Sequence, residues 1–247
     1  GQVMQKIKEL IDKHQESLAR LEALTSHKPI RDCRVEVGVV ADMFAYYGGW
    51  ADKIYGEVIP VPSGHLNYTK KEPLGVILQF TPWNAPIFTA GWQISPALAA
   101  GNGVVLKPSE LTPWTSIILA YLAEQAGVPR GLINVLVGRG EPILIPALET
   151  EAIGKITFVG SVSTGKKIAE IAGRYLVPCL LELGGKSANI VFADANLDDA
   201  CRGAQAAIFA SAGQSCVAGS RLLVERSVYT ELVEKLIHGT SQLKVGD

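Results

Sequence analysis

Downstream of Leu74, short apolar runs alternate with longer amphipathic stretches. The order is strand "LGVILQF", helix from Pro86, strand "GVVLKP", helix from Thr112, strand "INVLVG", a short helical piece, strand "KITFVGS" and helix from Thr164. Strands separated by helices predict a parallel sheet covered on both faces, so the fold class is α/β. Downstream, "PCLLELGG" leads into "ANIVF", a helix near Leu197 to Ala210, a loop around Cys216, strand "RLLVE" and a last amphipathic helix, "VYTELVEKLIHG". Upstream, Val3, Ile7, Leu10, Ile11, Leu18, Leu21 and Leu24 recur at three- and four-residue spacing and predict one amphipathic helix. Residues 34–54 read as a second helix, and "YGEVIPVPSGHLNYTKKEP" as a two-stranded excursion punctuated by Pro and Gly, an arm. There is no internal repeat and no low-complexity segment.

Composition narrows the function classes. The 247 residues are 48% hydrophobic and 19% charged, enough to bury a substantial core. With 23 Lys and Arg against 24 Asp and Glu and no long like-charge blocks, the chain lacks the electrostatic footprint of a nucleic-acid or anionic-membrane binder, so small-molecule substrates fit better. The longest obvious apolar run, "IILAYLA", falls well short of the roughly 20 residues that span a bilayer. Cys33, Cys179, Cys201 and Cys216 have neither metal-type pairing nor disulfide density, so no metal is expected and a reducing, cytoplasmic compartment is.

In open α/β sheets ligands bind beyond the carboxyl ends of the strands, and four polar or Gly-rich turns fall there: "FTPWNAP", "LKPSE", "FVGSVSTG" and "LELGGK". The dinucleotide fingerprint G-x-G-x-x-G is absent, since "GRGEPI" and "GNGVVL" lack the third glycine. What remains is Gly160-Ser161 closing a strand with Gly165 a turn into the next helix, where free N–H groups and the helix dipole favour a phosphate; an ordinary helix cap reads the same way. Lys107 and Glu110 project from a turn stiffened by Pro108, suited to ribose hydroxyls or simply a surface ion pair. Cys216 lies in "FASAGQSCVAGSR", among small polar residues instead of an apolar core run, which is where an accessible thiol nucleophile is found. Cys201, in a helix, and Cys179, in a buried-looking strand, read as packing.

These turns and the thiol, in this order, resemble the NAD(P)-dependent aldehyde dehydrogenases, and the resemblance runs from the first helix to "LKVGD". It implies a Rossmann-like cofactor domain over 1–54 and 74–183, an oligomerisation arm over 55–73, and the first part of an α/β catalytic domain over 184–247. By the resemblance Cys216 attacks the aldehyde, Asn84 donates to the developing oxyanion, and Glu182 is the general base that hydrolyses the thioester, its carboxyl tuned by partial burial. Asn84 also suits a cap for a helix opened by Pro86. Family branches that pass the acyl group to coenzyme A commonly lack this glutamate, so the free acid is the expected product.

The resemblance places Lys107 and Glu110 at the adenosine ribose and Gly160 and Ser161 near the pyrophosphate, with Thr81, Pro82, Trp83, Ser109, Leu183 and Gly184 completing the cofactor site. A carboxylate beside the 2′-hydroxyl repels a 2′-phosphate, so NAD is expected, with NADP less favoured. Ala85, Phe88, Thr89, Trp92, Ser215 and Val217 fall where the family lines its substrate tunnel; at helical spacing the same residues also read as core. Family members run further, into a segment that holds the nicotinamide ribose and a strand that pairs with a neighbouring subunit. The 247 residues alone are therefore expected to turn over little aldehyde, the longer form to be a homodimer or homotetramer, and the alternative is an inactive truncated homologue that binds nucleotide or serves structurally.

Overall fold

The computed structural model describes residues 1–246, the side chain of Glu141 apart; Asp247, last residue of the expected catalytic segment, lies outside the described residues. The chain forms two compact units, Gly1–Glu182 and Leu183 onward.

The first unit opens with a helical layer. Where the periodicity predicts one helix from Val3 to Leu24, there are two, α1 (Gln2–Lys13) and α2 (Gln15–Ser26). Between Ile11 and Leu18 a full turn carries no apolar residue to hold the helix against the core. The break falls there, at His14, whose backbone leaves the helical range at φ −106° and ψ 12°. The expected helix over 34–54 is α3 (Ile30–Gly48): Pro29, at φ −55° and ψ 133°, sets an earlier start, and the Gly48-Gly49 pair an earlier end. Ile7, Ile11, Val37, Val40 and Phe44 are fully buried under this layer, each contributing on the order of 2 kcal/mol of burial.

The arm carries two short strands, β1 (Val58–Ile59) and β2 (Asn67–Tyr68), paired antiparallel with Val58 opposite Tyr68. The whole segment is exposed, including Tyr55, Val58, Leu66 and Tyr68.

The sheet follows: β3 (Val76–Phe80), β4 (Gly103–Lys107), β5 (Ile133–Val135), β6 (Ile153–Gly160) and β7 (Cys179–Leu183), in spatial order β5-β4-β3-β6-β7. β3 is parallel to both β4 and β6, and β5 is parallel to β4. Between them run α4 (Pro86–Ala99), α5 (Trp114–Gln125), α6 (Glu141–Glu149) and α7 (Val162–Arg174). Helices expected from Thr112 and Thr164 start instead at Trp114 and Val162. For α7 the reason is visible: the Ser161 side chain accepts the N–H of Thr164, so the helix begins right after Ser161. Ile77, Val104 and Leu106 from the sheet meet Ile87, Ile94 and Leu119 from α4 and α5 in the main core. At Gly91 α3 and α4 come so close that a Cβ would lie 2.5 Å from Val40 Cγ1.

The second unit holds two parallel strands, β8 (Ala188–Val191) and β9 (Arg221–Val224), with α8 (Leu197–Phe209) and α9 (Tyr229–Thr240). Asn196 caps α8, its side chain accepting from the N–H groups of Asp198 and Asp199. Val191, Cys201 and Leu232 form its small core. Among the described residues no helix is long and apolar enough to cross a membrane.

Candidate active site

From β3 the chain winds outward through β4 to β5, then crosses back so that β6 lies on the other flank of β3. Such a reversal opens a crevice beyond the carboxyl ends of the two strands where the winding changes direction. Phe80 is in register with Lys107 on one side and Phe158 on the other. The segments Thr81–Ala85, Pro108–Glu110 and Gly160–Ser161 therefore leave the sheet side by side.

The first two are tied together. The Thr81 N–H donates to the Lys107 carbonyl at 3.1 Å, and Thr112 Oγ1 donates to the Trp83 carbonyl at 3.0 Å. Pro82 and Asn84 are half-buried and Trp83 is exposed. Asn84 is not the cap of α4: Ala85 holds that position, and alanine has no side-chain acceptor to offer the N–H groups of the first turn. Thr81 Oγ1 is buried with no hydrogen-bond partner, a condition that protein interiors avoid and that a bound polar ligand relieves.

Lys107 is buried at the end of β4, and its Nζ lies 3.1 Å from Glu110 Oε2. The Glu110 carboxyl is held below the usual carboxylate range by its own backbone N–H and by Lys107. Ser109 is half-buried and its Oγ accepts the Leu111 N–H at 3.3 Å. On the other flank Gly160 leaves no room for a side chain, since a Cβ would lie 2.6 Å from the Phe158 ring. Ser161 then caps α7, with Ser163 and Thr164 hydroxyls at 3.2 and 2.9 Å from its Oγ. All three are exposed at the positive end of a 13-residue helix. The cap reading of Ser161 thus holds, and the same geometry offers a phosphate cradle.

Glu182 departs from expectation: it is exposed, not partly buried. β7 is an edge strand, and along it Cys179, Leu181 and Leu183 are half-buried while Leu180 and Glu182 face outward. Cys179 is likewise only half-buried, although its strand reads as apolar. Glu182 lines a cavity of about 340 Å³ together with Trp92, Gln79, Gln93 and Thr157. Of the expected tunnel residues, Trp92 reaches this cavity, Ala85 and Phe88 are half-buried, and Thr89 is buried. Gln79 and Gln93 were not singled out by the sequence. Gln79 Nε2 donates to the Gln93 carbonyl at 2.8 Å, Thr157 Oγ1 to Gln93 Oε1 at 3.2 Å, and Gln79 Oε1 is buried without a partner. A glutamine inside the apolar strand "VILQF" is the signal that points to them.

In the second unit Leu183 is half-buried and Gly184 exposed. Cys216 lies between a 3-10 turn, Ala210–Gly213, and β9. Ser211 and Ala212 in that turn are left-handed, with φ 52° and 57°, a strained state for residues with a Cβ. The loop is pinned at its far end, where Ala218 is buried and the Gly219 N–H donates to the Ala207 carbonyl at 3.1 Å. Ser215 is half-buried and its Oγ accepts the Val217 N–H at 3.3 Å, leaving Cys216 and Val217 exposed between these anchors. Cys33 and Cys201 are buried, and burial pushes the Cys33 thiol up to about 11. Among the described residues no group of three or more His, Cys, Asp or Glu is placed to hold a metal ion.

The aldehyde dehydrogenase family matches over residues 1–247. Betaine aldehyde dehydrogenase of Bacillus subtilis (strain 168) is 43% identical over 249 residues, covering 100% of this chain and 51% of that protein. PnpE of Pseudomonas sp. WBC-3, solved in complex with nicotinamide adenine dinucleotide, superposes with a TM-score of 0.96 at 43% identity, covering 99% of this chain and 50% of the other. An NADP-dependent enzyme of E. coli superposes with a TM-score of 0.97 at 36% identity, covering 100% and 51%. The chain spans about half the length of the curated relatives it matches. By sequence along its whole length and by fold, this chain belongs to the aldehyde dehydrogenase family.

Proposed function

We propose that the protein oxidises an aldehyde to a carboxylic acid with NAD, with Cys216 as nucleophile, Asn84 as oxyanion donor and Glu182 as general base. The observation that carries this reading is Cys216 itself, the exposed thiol of the four, at the crest of a loop anchored at both ends. With its proton given up to solvent, its sulfur adds as thiolate to the aldehyde carbon to give a thiohemiacetal, and the carbonyl oxygen takes up negative charge. The Asn84 amide and the Cys216 backbone N–H donate to that oxygen. NAD, when bound, would supply the hydride acceptor, and a thioester would then remain on Cys216. Glu182 takes a proton from water as the water attacks the thioester carbon; the acid departs and the thiol is restored. An exposed Glu182 has water at hand, in keeping with that role.

The residues present suit the cofactor. Lys107 and Glu110 suit the adenosine ribose, and Gly160 and Ser161 at the start of α7 the pyrophosphate. Thr81, with its unsatisfied hydroxyl, Pro82, Trp83, Ser109, Leu183 and Gly184 complete the cofactor set. Trp92, Ala85, Phe88, Thr89, Ser215 and Val217 serve the aldehyde. Residues 1–54 and 74–183 then make the cofactor domain, 184–247 belongs to the catalytic domain, and the exposed apolar side chains of 55–73 suit an assembly arm.

First-turnover kinetics on the protein expressed from its complete reading frame test the mechanism. Glu182→Gln should slow steady turnover while leaving a stoichiometric burst of NADH, because acylation and hydride loss precede the water step. Cys216→Ser should abolish both, and a burst lost in Glu182→Gln would place Glu182 earlier in the sequence.

A further inference from the structure

Glu22, near the C-terminal end of α2, is 0% exposed, and its carboxylate is held by groups from three parts of the chain. Lys28 Nζ lies 3.1 Å from Oε1 and also pairs with Glu36. Thr115 Oγ1 donates to Oε2 at 2.7 Å, and the Ile87 N–H reaches Oε1 at a long 3.5 Å. Ile87 carries the first N–H of α4, since Pro86 has none, and Thr115 is the second residue of α5. One buried carboxylate thus sits at the N-termini of two helices, where their dipoles favour negative charge.

These two helices begin where the two turns beside the crevice end. Thr81–Ala85 runs straight into α4, and the segment after Glu110 runs into α5. The Thr112 hydroxyl bonded to the Trp83 carbonyl joins the turns to each other. A buried charge network is a poor source of stability, since apolar residues of similar volume commonly replace one without loss, but it fixes geometry through directional bonds.

We propose that Glu22, held by Lys28, is a positioning residue that sets the Thr81–Ala85 turn, and with it Asn84, by clamping the start of α4 to the start of α5. This rests on the function proposed above. Because it acts through Asn84, its loss is felt in acylation and not in the intrinsic reactivity of Cys216.

The test is a double-mutant cycle on the NADH burst, normalised to titratable Cys216, in protein expressed from its complete reading frame. Glu22→Gln should slow the burst about 10-fold, within the range by which a small misplacement of a catalytic group reduces rate. In the Asn84→Ala background the same change should cost less than about 2-fold, because the group it positions is already gone. Alkylation of Cys216 should be unchanged. A merely structural Glu22 would lower the thermal midpoint and leave the normalised burst alone, and that result overturns the proposal, as do independent, multiplying effects of Glu22→Gln and Asn84→Ala. Should Glu22→Gln fail to fold, Thr115→Val removes one contact and keeps the Lys28 pair; it should slow the burst about 3-fold with the same dependence on Asn84, and an unchanged burst overturns the proposal. A burst that survives Cys216→Ser sinks the functional reading and this one with it. One that Cys216→Ser abolishes while Glu22→Gln leaves it intact sinks the role of Glu22 alone.

Discussion

Lys107 and Glu110 are joined across 3.1 Å yet share solvent unequally, the lysine side chain 8% exposed and the glutamate 49%. The ammonium is buried at the carboxyl end of β4, and the carboxylate is the half of the pair that meets solvent.

A 2′-phosphate arriving there meets that carboxylate, so binding should favour NAD over NADP, and Glu110→Gln should narrow the ratio by about 10-fold or less, the carboxylate being half in water. The carboxyl is held below its ordinary value of 4.5, first by its own backbone N–H and then by Lys107. Its charge therefore persists as pH falls through the ordinary range and is lost only below it. Glu110 is thus fully charged at neutral pH, where equilibrium titration of both dinucleotides reads the preference with the 2′-phosphate also in its dianionic form. An unchanged ratio in Glu110→Gln would move the discrimination elsewhere.

Iodoacetamide at neutral pH should modify Cys216 first. Cys33 and Cys201 are buried, and burial raises both Cys33, to about 11, and Cys179. For Cys33 the raised value means that folding favours the protonated thiol. That contribution is complete below the ordinary 9.0 and is lost as pH rises toward about 11. Peptide mapping that finds Cys179 or Cys201 labelled as fast as Cys216 in folded protein would refute the assignment.

Asn84→Ala should depress the NADH burst itself by about 10²- to 10³-fold, the usual cost of one oxyanion donor. Glu182→Gln spares the burst, so the two variants separate in a single stopped-flow experiment.

Gly91→Ala should destabilise the first unit by about 1–3 kcal/mol, because its Cβ would lie 2.5 Å from Val40 Cγ1 between two packed helices. Val40→Ala in the same chain should recover part of the loss in a denaturant titration. A neutral Gly91→Ala would mean that α3 and α4 separate freely.

The alternation of apolar strands and amphipathic helices made the parallel sheet legible, because both periods are local properties of the chain. The turns at the strand ends were legible for the same reason: Pro82, Pro108 and Gly160 act on their own backbone. Features set by distant partners were not. Glu22 looks like one more charged residue on an amphipathic helix, and only the arrival of Lys28, Thr115 and Ile87 makes it a buried hub. Which face of β7 stays uncovered, and with it the exposure of Glu182, is a tertiary matter that "LELGGK" does not carry. The break at His14 stayed hidden because Leu18 and Leu21 resume the apolar rhythm of Ile7 and Ile11 beyond it. Gln79 carried a signal, a polar residue within an apolar strand, whose meaning depended on Gln93 and Thr157 across the cavity.

The winding of the sheet also dictates an order of events at the ribosome. β3 finds β4 after a single intervening helix, but its other edge stays bare until α4, β4, α5, β5 and α6 have all been synthesised and β6 returns to it. Throughout that interval Ile77, Leu78 and Phe80 belong to a strand with an open ladder, the kind of edge that captures foreign strands. Nascent chains stalled before Ile153 should therefore be the aggregation-prone species and the clients of chaperones, and closure of β6 on β3 the slow, non-local step that ends the exposure.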